Sequence, residues 1–125
     1  MIMYCLKDSS KALAILLAHL KKGNKLQYIF ISQFAAGKSE NQILKQSRQI
    51  AIEQGLKPKI YSLPLGFHGH AAGTTLGMRD AQQGLAGSGA YPLHLNTAYA
   101  IELNNSSYIE QWGKKFVSCS KKTLF

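Results

Sequence analysis

The hydrophobic pattern changes period near the middle of the chain, and that change limits the folds open to it. Up to Gly55 the apolar residues recur at steps of three and four, the spacing of one helix face. Ser9 or Ser10 is positioned to cap a helix with the stripe Leu13, Leu16, Leu17 and Leu20, with Lys21 and Lys22 at its negative end and Gly23 as its stop. Asn24 then caps a second helix with Leu26, Ile29, Phe30 and Phe34 inward, interrupted at Gly37. Ser39-Glu40-Asn41-Gln42 forms a capping box that opens a third, with Ile43, Leu44, Ser47, Ile50 and Ala51 inward and Gly55 at its end. Beyond Pro58 the signals are those of strands. Residues 59–63 and 97–103 are strand candidates, and 107–111 with 115–119 predict a hairpin around Trp112-Gly113. Between them, residues 66–89 hold seven glycines and no long apolar run, so loops dominate there. Helices followed by strands predict an α+β fold, an antiparallel sheet flanked by helices, in a single domain spanning 1–125.

Composition narrows the function. The chain carries 15 Lys+Arg against 6 Asp+Glu, a net charge of +9, and only Arg48 and Arg79 among the cations are arginine. Base reading and phosphate clamping favour arginine, and the lysines are scattered, so most are expected to be solvated surface. Cys5 and Cys119 are too few for a disulfide framework, and reduced thiols in a cytoplasmic protein are expected. Lys7-Asp8 breaks the apolar start, which speaks against a signal peptide, and residues 13–20 are too short a run to span a bilayer.

Two segments carry chemistry. Gly66-Phe67-His68-Gly69-His70 sets two imidazoles two residues apart between glycines. In an extended segment both project to one face, where the glycines let a ligand approach, and two hydrogen-bonded loop histidines are the plain alternative. Ala98-Tyr99-Ala100-Ile101-Glu102-Leu103 sets one carboxylate in an apolar run, alternating with Ala98 and Ala100. Such an acid ligates a cation, moves a proton or bonds to a neighbour, unless it faces water on an edge strand. Asp80 is expected to pair with Arg79, and His94 to mark a strand entry. Gly37-Lys38-Ser39 lacks the earlier glycine of a phosphate loop, because position 32 is serine, so a helix cap is expected.

Taken together, Leu65-Gly66-Phe67-His68-Gly69-His70-Ala71-Ala72-Gly73, Tyr91-Pro92-Leu93 and Asn96-Thr97-Ala98-Tyr99-Ala100-Ile101-Glu102-Leu103-Asn104 resemble the catalytic half of the pita-bread metallopeptidases. That family includes methionine and Xaa-Pro aminopeptidases, prolidase and the related creatinase. The resemblance runs from about Gly23 to Gly113. It implies an incomplete, C-terminal half of a pita-bread fold. It also implies hydrolysis at a peptide N-terminus by a pair of divalent ions, Mn, Co, Fe or Zn, that activate water. By motif, His70 and Glu102 are metal ligands, Glu102 also handles the proton of the attacking water, and His68 is a cleft neighbour.

The departures from the family are as informative. Its two Asp ligands belong to a first half that neither Asp8 nor Asp80 replaces, and position 77, where a further histidine is common, is glycine. The last ligand, a Glu on a strand shortly after Trp112, is missing, and Lys121 and Lys122 stand in its place, where they repel a metal. Codons allowed for residues 117–125, read one nucleotide out of register, give Phe-Met-Leu-Glu-Glu-Asp-Ala-Phe, an acidic strand of the family's kind. The expectation is a frameshifted or truncated gene product, inactive alone and holding metal weakly or not at all. Its expected partners are a peptide substrate in the intact family and a second copy or a missing N-terminal half, with no membrane and no nucleic acid. The alternatives are a small basic nucleic-acid-binding module and a noncatalytic scaffold.

Overall fold

A computed structural model describes residues 13–66, 69–70 and 75–124, with the backbone alone for 69–70 and 122–124. Helix α1 spans Ala14–Ser32 and α2 spans Glu40–Glu53. The strands are β1 (Pro58–Ile60), β2 (Leu63–Gly66), β3 (Gly69–His70), β4 (Tyr99–Ile109) and β5 (Lys114–Leu124). The architecture is α+β: one antiparallel sheet with both helices packed on the same face.

β4 is the centre of the sheet. On one side it pairs with β1 and β2, which share one register: Pro58 lies opposite Asn105 and Pro64 opposite Tyr99, with no residue inserted between. Tyr61 N donates to Glu102 O at 3.0 Å and carries the ladder across the break. On its other side β4 pairs with all of β5, from Tyr99 opposite Leu124 to Ile109 opposite Lys114. The hairpin turns through a 3-10 segment at Glu110–Trp112 and closes on Gly113, whose φ of 58° is left-handed. The strand expected at 97–103 and the hairpin expected at 107–119 are therefore parts of one much longer ribbon.

The core lies between helices and sheet. Leu26 and Phe30 of α1, Ile43, Leu44 and Ala51 of α2, and Ile60, Leu76, Tyr99, Ile101 and Leu103 form one buried cluster. Phe34 stacks edge-on against both Phe30 and Tyr99, at 5.0 and 5.4 Å. The third expected helix holds: Ile43, Leu44, Ser47 and Ala51 are buried, and Gly55 follows its end at φ 76°. Its capping box is complete, with Gln42 N donating to Ser39 Oγ at 3.2 Å and Ser39 N to Gln42 Oε1 at 2.8 Å. Ser39→Ala is expected to lower stability by about 1 kcal/mol, measured by urea denaturation, because the Gln42 amide of the first turn loses its acceptor.

The first two expected helices need correction. They are one helix, and α1 runs straight through Gly23-Asn24. Gly23 is a close approach, not a stop: a Cβ there would lie 2.8 Å from Ser118 Oγ on β5. The expected inward stripe is also rotated. Leu13, Leu17 and Leu20 are exposed, and α1 buries His19, Gly23, Leu26, Gln27 and Phe30 instead. Polar complementarity with β5 selects that face: Ser120 Oγ donates to Gln27 Oε1 at 2.5 Å, and His19 meets the Phe116 ring edge-on at 5.2 Å. The helix is entered through Leu13, and the expected caps Ser9 and Ser10 lie outside the described residues. Among the described residues no helix is long and apolar enough to cross a membrane.

Candidate functional site

Alternation along β4 sorts its side chains between two environments. Tyr99, Ile101 and Leu103 join the core beneath the helices, which puts Ala100, Glu102, Asn104, Ser106 and Tyr108 on the opposite face. Glu102 is therefore on the central strand and away from the helices, not on an edge. Its backbone is fixed from the link between β1 and β2: Glu102 N donates to Ser62 Oγ at 3.0 Å, and its carbonyl accepts from Tyr61 N. The carboxylate retains 22% of its side-chain exposure, with half-buried Ala98 and buried Ala100 along the same face.

Backbone register brings position 70 to that face. His70 pairs with Leu65, and Leu65 is two residues from Leu63, which pairs with Ala100. Residues opposite one another in a ladder share a face, so 70, 65, 63, 100 and 102 form one set. The backbone register thus places positions 70 and 102, both singled out by the sequence, on one side of one sheet. His68 lies outside the described residues.

The third member of this face is a cation. Lys121 is directly opposite Glu102 in the β4–β5 ladder, and its Nζ is 2.9 Å from Glu102 Oε1. Lys121 is 64% exposed, so the pair contributes at most about 1 kcal/mol to stability. Its chemical meaning is larger. An ammonium sits against the carboxylate that a divalent ion would need. Among the described residues no group of three or more His, Cys, Asp or Glu is placed to hold a metal ion. Exposed Cys119 lies one step along the same face, opposite Asn104.

The other sequence candidates do not join this set. His94 and Asp80 are exposed on the loops before β4, with Asp80 in the tight turn where Met78 bridges Ala81. Gly77 has φ 72°, and a Cβ would lie 2.7 Å from Ile60 O and 3.1 Å from Leu44, so no histidine could occupy that position in this backbone. Gly37-Lys38-Ser39 is the approach to the α2 cap, as expected.

One buried acid had no signal beyond its place in the capping box. Glu40 is fully buried at the start of α2, where its Oε1 accepts a 2.6 Å hydrogen bond from Tyr99 Oη. The positive end of the helix favours its charge, and the Tyr99 hydroxyl ties α2 to β4. It belongs to the core side of the sheet and is structural.

Comparison of the chain with protein-family models, with curated proteins and with solved structures finds no match.

Proposed function

We propose that this chain corresponds to the second catalytic half of a pita-bread metallopeptidase acting on peptide N-termini, in a form that has lost its metal site and does not turn over substrate. The observation that carries this reading is the shared face of position 70, Glu102 and Lys121. Two residues with the family's ligand motifs fall on one sheet face, and the cross-strand position where a second carboxylate would share the ion holds a lysine.

The β5 sequence supports the reading from a second direction. A strand packed beneath a helix ordinarily presents apolar side chains at every second position. Here the positions toward α1 are Phe116, Ser118 and Ser120, with hydroxyls against Gly23 and Gln27. The string from the shifted frame would put Phe and Leu at 118 and 120 and Glu at 121. It would make the inner positions 118 and 120 apolar and the outer positions 121 and 123 acidic, with a further Glu at inner position 122.

The test is metal analysis and hydrolysis of a proline-containing dipeptide by the purified chain, beside a protein with the shifted frame restored and the family's first half supplied. The expected result is no turnover by the 125-residue chain and metal-dependent turnover by the restored protein. Turnover by the chain itself, or a coding sequence that yields no acidic strand in another frame, would overturn the proposal. The free edge of β5, unpaired among the described strands, offers a place for a first half or a second copy to add.

A further inference from the structure

We propose that the cleft beside α2 and the edge strand β1 binds a small oligophosphate anion. Lys45, Arg48, Gln49 and Ile52 recur at the spacing of one helix face and form one wall, with Gln82 and Gln83 opposite them. This hollow has a volume of about 580 Å³ and runs past Arg48 and Ile52 into a second of about 510 Å³. The second is lined by the segment from Gly55 to Lys59 and by Ser106. Four cations from α2 and the segment that enters β1, Lys45, Arg48, Lys57 and Lys59, thus line two adjoining hollows. The single carboxylate there, Glu53, already accepts a 3.1 Å hydrogen bond from Gln49 Nε2.

Arg48 sits where the two hollows meet, and its guanidinium is held in place. One terminal nitrogen donates to the Gln82 carbonyl. Gln82 is itself clamped, accepting from Ile60 N at 3.0 Å and donating to Ile60 O at 2.7 Å and Met78 O at 2.8 Å. A guanidinium fixed at one end, with ammonium groups flanking it, matches the charge and planar geometry of phosphate oxygens. Two joined hollows with cations in each suit a chain of phosphates better than a single one. Among the described residues no aromatic side chain lines either hollow to stack on a base, and the recognised chemistry is the phosphate chain.

Isothermal titration with tripolyphosphate at about 0.15 M salt tests this, since unspecific surface attraction is largely screened there. The expected result is saturable one-to-one binding that weakens about ten-fold or more in Arg48→Gln and in the double variant Lys57→Gln/Lys59→Gln. Lys115→Gln, which removes the same charge from exposed β5, is expected to leave affinity unchanged. Thermal melts identify any variant that fails to fold, and the two cleft variants are independent of each other. Adenosine triphosphate distinguishes the source: equal affinity marks the phosphate chain alone, and tighter binding marks a nucleotide carrying it. Absence of tripolyphosphate binding, equal loss in Lys115→Gln, or binding of a single-stranded oligonucleotide without tripolyphosphate would overturn the proposal.

Discussion

Phe30→Ala is expected to destabilise the fold by about 3–5 kcal/mol, a large share of the total stability of a domain this size. Phe30 is fully buried in the layer between α1 and the sheet, and its ring meets Phe34, which in turn meets Tyr99. Removing it deletes apolar contact and leaves a cavity that a rigid helix over a rigid sheet cannot close. The loss extends beyond one side chain, because the stack orients Tyr99, whose hydroxyl holds buried Glu40. In urea the unfolding midpoint is expected to fall by roughly 1–3 M. A shift of less than about 0.5 M would show that α1 is not packed as described.

Lys121→Glu is expected to produce the largest change in chemistry. It would replace the ammonium 2.9 Å from Glu102 Oε1 with a second carboxylate on the same face. The two acids repel unless a cation lies between them, so the variant should lose stability in chelator and regain it with Mn²⁺. Reversing a unit charge a few ångströms from a divalent ion should raise affinity by about ten-fold or more, even at a partly solvated site. Titration with Mn²⁺ against the parent chain and against Lys121→Gln separates a gained ligand from a lost repulsion. Equal Mn²⁺ affinity in all three proteins would show that the Glu102 face has no place for an ion, and would remove the support for the metallopeptidase reading.

Much of the framework was legible because local signals and tertiary needs agreed. The capping box at Ser39, the apolar face of α2 and the turn at Trp112-Gly113 are each dictated within a few residues, and each appears where expected. Gly23 was misleading because a glycine carries two meanings, a helix stop or a close approach, and only the distance to Ser118 separates them. The leucine stripe of α1 misled for a related reason. Periodicity shows that a helix has an apolar side, but the neighbouring strand chooses the side it covers, and β5 offers hydroxyls that suit Gln27. The converging cations were unreadable because Lys45, Arg48, Lys57 and Lys59 lie on separate elements, although the spacing of 45, 48, 49 and 52 marks one helix face.

The sequence alone determined the α+β class, the position of α2 and the existence of the terminal hairpin, and it singled out positions 70 and 102. It did so through side-chain period and turn chemistry, which act over a few neighbours. Only tertiary structure decided that these two positions share a sheet face and that Lys121 stands opposite Glu102. That outcome depends on strand register, set by the turn at 110–113 and the unbroken line of β1 and β2. A slip of one residue would have turned every side chain of β5 to the other face.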